Sequence, residues 1–145
     1  MSHFIESKNT VMNTENRVII NVRPHYAFFW HLMDALQVAG DEHFYDERDR
    51  LLQHFVEGHM YGVSEGEEGV PAFLCYHPQR PWECMLWVAP SHRLKGYGSF
   101  LVREYGQRHG DIRRVEALST SIPFWQHNGY EVEAQHDGVA DMIKT

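Results

Sequence analysis

Two cations and two glycines stand between an apolar run and an amphipathic one in Leu86-Trp87-Val88-Ala89-Pro90-Ser91-His92-Arg93-Leu94-Lys95-Gly96-Tyr97-Gly98-Ser99. The chemistry open to this combination is anion binding. A helix that starts near Tyr97 presents backbone N–H groups with no intrahelical partner, and its macrodipole makes that end positive. Together these make a seat for a pyrophosphate. Gly96 and Gly98 would let the backbone approach phosphate oxygens with no Cβ in the way, and Arg93 and Lys95 add charge. The plain alternative is a strand-to-helix turn that happens to be basic.

Other reactive residue types are present without a pattern. The eleven histidines are scattered along the chain, and none forms an HExxH or an H-x-E plus PCxxC arrangement. Cys75 and Cys84 are the only cysteines and lack CxxC spacing. No metal centre and no disulfide framework is expected, and both cysteines are read as buried thiols.

The elements that would position the basic segment follow from periodicity. Arg17–Arg23 is a β-branched run ended by Pro24, a first strand. Phe29, Leu32, Met33 and Leu36 repeat at three and four, which predicts a helix over His25–Val38, closed by Gly40. Asp41 can cap a second helix running to about Val56. Strands are expected at Met60–Val63, Val70–Tyr76 and Trp82–Val88, with a polar turn at Glu65–Gly69 and a two-proline turn at His77–Pro81. A helix over Tyr97–Arg108, a strand over Arg114–Leu118, a short helix over Ser121–Asn128 and two closing strands complete the order. Strands interleaved with helices in this way make a mixed sheet covered by helices, an α/β (α+β) domain.

Length and charge bound the rest. The 145 residues suit one domain, expected over 16–145 behind a flexible polar tail at 1–15. No apolar run reaches the roughly 18 residues of a membrane helix, and the first residues lack the plan of a signal peptide, so a cytoplasmic protein is expected. The net charge of −7 falls entirely within residues 1–70, which carry twelve acidic and five basic side chains; the remainder carries eight of each. That balance disfavours a nucleic-acid backbone as partner. It suits a cationic small molecule or basic peptide, or else a merely solvated helix surface.

The basic segment resembles the GNAT family of N-acetyltransferases. Arg93, Gly96 and Gly98 match its pattern of Gln or Arg, two residues, Gly, one residue, Gly or Ala, after an apolar strand and a Pro. Phe124-Trp125-Gln126-His127-Asn128-Gly129-Tyr130 resembles a second landmark, an aromatic pair followed after three residues by Gly and an aromatic. The resemblance spans about residues 17–143 and implies a mostly antiparallel sheet of six to seven strands, helices on both faces, and a splay between the fourth and fifth strands.

It further implies acetyl-CoA as co-substrate. Backbone amides near Leu86 and Val88 would hold the pantetheine arm. Arg93, Leu94, Lys95, Gly96, Tyr97, Gly98 and Ser99 would hold the pyrophosphate, with Trp125 also at the cofactor. Attack by an amine requires a neutral nitrogen, although a lysine-like amine has a pKa near ~10.4, so a general base is expected. Glu83, near the start of the fourth strand, is the candidate, one residue from the expected position; an edge glutamate in solvent is its alternative. The family's usual acid is a tyrosine where this chain has Trp125. Tyr130 is the first substitute, with His127, Ser121, Tyr97 or water also open. The first two helices would wall the acceptor site; Asp34, Asp41, Glu42, Asp46, Glu47 and Asp49 cluster around their joint, and any that face the wedge would attract a cationic amine, the alternative being that all six face solvent. Transfer to an amine is the leading expectation. A non-catalytic module binding acetyl-CoA or a protein partner is the alternative, and a nucleic-acid-linked acceptor the third. A homodimer is left open.

Overall fold

Every residue of Ala72-Phe73-Leu74-Cys75-Tyr76 is buried, and successive side chains enter opposite cores. A strand that alternates and is apolar on both sides must lie in the middle of a layered structure. The structure, a computed structural model, describes residues 18–23, 26–65 and 69–145. The expected tail at 1–15 lies outside them. Described are β1 (Val18–Asn21), α1 (Tyr26–Ala39), α2 (Glu42–Asp46), α3 (Arg48–Glu57), β2 (Met60–Glu65), β3 (Gly69–Cys75) and β4 (Met85–Val88). Then come α4 (Tyr97–His109), β5 (Arg114–Leu118), α5 (Ile122–His127), β6 (Tyr130–His136) and β7 (Val139–Lys144).

The strands form two antiparallel sheets, ordered β1-β2-β3-β4 and β5-β7-β6. Among the described residues β4 and β5 share no ladder, so the expected splay between the fourth and fifth strands is a complete opening. The sheets are joined at one end, where the Tyr76 hydroxyl donates to the Arg114 carbonyl at 3.1 Å and the turn Pro81–Glu83 packs against β5.

One face of the first sheet carries α1 and α3. Leu32, Leu36 and Leu51 are fully buried there against Phe73, Cys75 and Trp87, each worth about 1.5–3 kcal/mol of burial. The tip of the Phe28 ring packs onto β2 because residue 62 is glycine; a Cβ there would sit 2.1 Å from it. The other core holds α4, Trp125 of α5, and the inner face of the second sheet through Val115, Ala140 and Met142. Helices thus cover both faces.

Two expectations are corrected. The helix expected from Asp41 to Val56 is two helices that meet at Glu47. Arg48 stacks on the Tyr45 ring at 4.8 Å and its guanidinium donates to the Tyr45 carbonyl at 3.0 Å, taking an acceptor from the helical ladder. The strand expected from Trp82 begins only at Met85, because Pro81–Glu83 is a tight helical turn closed by the Glu83 and Cys84 amides on the Arg80 and Pro81 carbonyls.

Candidate functional site

The opening between β4 and β5 is a cleft of about 1000 Å³, bounded by β4, β5, the start of α4 and α5. That is enough for an extended cofactor arm and a second reactant. Strand β4 supplies Leu86 and Val88, and the loop with the first turn of α4 supplies Arg93, Leu94, Gly96, Tyr97, Gly98 and Ser99. Lys95, expected at the pyrophosphate, does not line the cleft.

The two glycines do different things. Gly96 caps α4 at φ +90°, a left-handed conformation that favours glycine, and nothing lies within 4 Å of where its Cβ would be. The approach to the helix start is open on that side. No side chain caps α4, so the Gly98 and Ser99 amides, in the first turn, are available to an anion. Gly98 itself is buried, and a Cβ on it would meet the Phe124 ring at 2.9 Å and Leu86 at 3.6 Å. The expectation that Gly98 clears the way for a phosphate is therefore corrected: its missing side chain seats Phe124 of α5 against α4.

Arg93 is tethered. Its Nε donates to the Val88 carbonyl at 2.9 Å, and its guanidinium lies 3.9 Å from Asp41. Asp41 also accepts from the Trp87 indole at 2.9 Å and from the Phe44 amide that it caps. One carboxylate thus ties the start of α2, the middle of β4 and the basic loop together, a role beyond the helix cap that the sequence suggests.

Glu83 lines the cleft from the tight turn, not from a strand face. The inside-or-outside parity of a strand therefore does not govern it. Its Oε1 lies 3.5 Å from His54 Nε2 and 3.7 Å from Arg80 Nε. Arg80 in turn donates to Glu57 at 3.0 Å. Beside Glu83, burial pushes the Cys84 thiol up to about 12, so it is a protonated thiol at neutral pH.

Tyr130 is not in the cleft, which corrects its assignment as general acid. It is 2% exposed, its hydroxyl donates to the Ile112 carbonyl, and burial raises its pKa. Trp125 borders the cleft but is a core residue, edge-on to Phe124 and Tyr130 at 5.2 and 5.1 Å. Of the acidic residues expected around the acceptor, only Glu47 lines the cleft, and Arg50 pairs with it at 3.5 Å. Asp34, Glu42, Asp46 and Asp49 are exposed away from it, on the outer surfaces of their helices. Glu116 of β5 adds an acidic side chain that the sequence did not single out. His54 was also missed, although its spacing with Leu51 and Phe55 places it on the buried face of α3.

Comparison with known proteins agrees with this geometry. A family described as the acetyltransferase (GNAT) domain matches residues 56–132, from the end of α3 to the start of β6. The fold is similar to that of a GNAT-family acetyltransferase from Bacillus cereus, at 16% identity and a TM-score of 0.54, covering 89% of this chain and 98% of that one. It is also similar to Tetrahymena Gcn5, at 13% identity and a TM-score of 0.51, covering 78% of this chain and 85% of the other. No curated protein matches the chain. The match covers more than half of the sequence and includes both motifs and the open wedge between them. The chain belongs to the GNAT family of acetyltransferases.

Proposed function

We propose that the cleft transfers an acetyl group from acetyl-CoA to a primary amine, with Glu83 as the proton acceptor. The observation that carries this reading is the placement of a carboxylate and an uncapped helix start on the same cleft, one before β4 and one after it. The pyrophosphate lies at the Gly98 and Ser99 amides, with Arg93 beside it. The pantetheine arm runs along β4 past Val88 and Leu86. The thioester then sits near the closed end of the wedge, where Glu83 is.

The acceptor nitrogen attacks the thioester carbonyl, a C–N bond forms and the C–S bond breaks. Glu83 takes the ammonium proton so that the nitrogen attacks as a neutral amine, and the second nitrogen proton, lost as the amide forms, passes through water to the leaving thiolate. Neither Trp125 nor Tyr130 supplies the thiolate's proton. The acceptor enters between α2 and the end of β5, past Glu47 and Glu116, which favour a cationic amine over an anionic one. Arg50 offsets part of that field.

Incubation with labelled acetyl-CoA and a panel of amines, peptides and aminoacyl esters tests the reading. The expected result is an amide product with at least one primary amine, lost in Glu83→Gln. A second reading is favoured by the indole at position 125: a module that binds acetyl-CoA without turning it over. Its signature is tight CoA binding with no product across the panel.

A further inference from the structure

His54 is 2% exposed, yet neither of its ring nitrogens has a hydrogen-bond partner among the described residues. A buried polar atom left in that state costs free energy comparable to a lost hydrogen bond. An apolar side chain would fill the same place on α3, between Leu51 and Phe55, without that cost. The imidazole does have one neighbour that can use it. Glu83 Oε1 stands 3.5 Å from Nε2, just beyond a formed bond, and catalytic hydrogen bonds are often long before substrate is present.

The surroundings keep the ring neutral. Burial lowers the His54 pKa, and Arg80 and His59 push the same way, against Glu83 and Glu57. A neutral imidazole carries one N–H and one lone pair, and a carboxylate beside Nε2 selects the Nε2–H form. His54 and the Arg80 guanidinium both make their nearest approach to Glu83 at Oε1. Glu83 itself lines the cleft.

We propose that His54 is a positioning residue for Glu83, its Nε2–H holding Oε1 from behind so that Oε2 meets the acceptor's proton. This rests on the reading of Glu83 as base. His54 touches no substrate; it acts through the orientation and charge of one carboxylate. The pair is built from distant parts of the chain, the buried face of α3 and the tight turn before β4.

The test uses the full-length protein. Long-range 1H–15N spectra near pH 7 should show His54 as the neutral Nε2–H tautomer, with that resonance moving in Glu83→Gln. An imidazolium, an Nδ1–H tautomer, or a resonance indifferent to Glu83→Gln overturns the proposal. Turnover is then measured on the panel amine that reacts fastest. His54→Gln, whose amide nitrogen reaches the place of Nε2, should stay within about threefold of wild type in kcat. His54→Asn, whose amide reaches only the place of Nδ1, should lose about tenfold with the KM for acetyl-CoA little changed. In the Glu83→Gln background the two should be equal. If Glu83→Gln is itself as active as wild type, the base assignment falls. If Glu83→Gln is impaired while Gln and Asn at 54 behave alike, the base assignment stands and the role of His54 falls.

Discussion

The basic loop at 93–99 and the corner around Glu83 lie on the same cleft but are built in opposite ways. In the proposed reaction the loop acts through its backbone. Its amides come from one continuous turn, and what matters at Gly96 is the absence of a side chain. The corner works with side chains. Glu83, His54, Arg80 and Glu57 arrive from α3 and the turn after β3, and their effect depends on contacts of 3.0–3.7 Å across about thirty residues of sequence. A backbone site is written in a short motif, while a side-chain site exists only once the chain has folded.

That difference sets what could be read beforehand. The element order was legible because periodicity and local turn chemistry decide it, and the opening between the fourth and fifth strands followed from the family resemblance of the loop motif. The division of labour between Gly96 and Gly98 was not legible, since Gly98 answers to Phe124, twenty-six residues later. The break at Glu47 depends on an arginine turning back to a tyrosine carbonyl. The choice between an acidic wall and a solvated surface needed the structure for a similar reason. Net charge counts residues, whereas the cleft admits only those on one face of α2 and its junction, and most of the acids lie on the other. Tyr130 is one of several substitutes for the acid that the family resemblance implies and Trp125 lacks, and its burial and its bond to Ile112 remove it.

If the corner does chemistry and the loop only binds, substitutions should separate cleanly. The largest effect is expected from Glu83→Gln, which should lower kcat by about 10²–10⁴-fold, the usual weight of a general base. Its CoA affinity should stay within about twofold by calorimetry. Gly98→Val should act on the fold, because the added carbons must displace Phe124; urea unfolding should show a loss of about 1–3 kcal/mol. Tyr130→Phe should cost about 0.5–1.5 kcal/mol through the bond to Ile112 and leave kcat unchanged. A tenfold loss of kcat there would return Tyr130 to the mechanism.

The smallest effect concerns acidity at the corner. Burial lowers the pKa of both His54 and His59 in the folded state. The unfolded chain therefore binds the proton more readily, so the stability linked to these groups is full above about pH 6.5 and is lost as pH falls. The melting temperature should drop between pH 7 and pH 5, and His54→Gln should lose part of that drop. An equal drop in both proteins would mean that His54 is not held neutral.

The start of α4 is proposed to hold a pyrophosphate, and the most direct measurement compares CoA with pantetheine, which lacks it. Two charge-assisted hydrogen bonds at about 1.5 kcal/mol each give roughly a hundredfold preference for CoA. In wild type that preference should appear in the two dissociation constants. In the Arg93→Ala, Gly96→Val double variant it should shrink by about tenfold or more, with pantetheine binding little altered. Equal binding of CoA and pantetheine by the wild type, or a preference that survives both substitutions, would contradict the account.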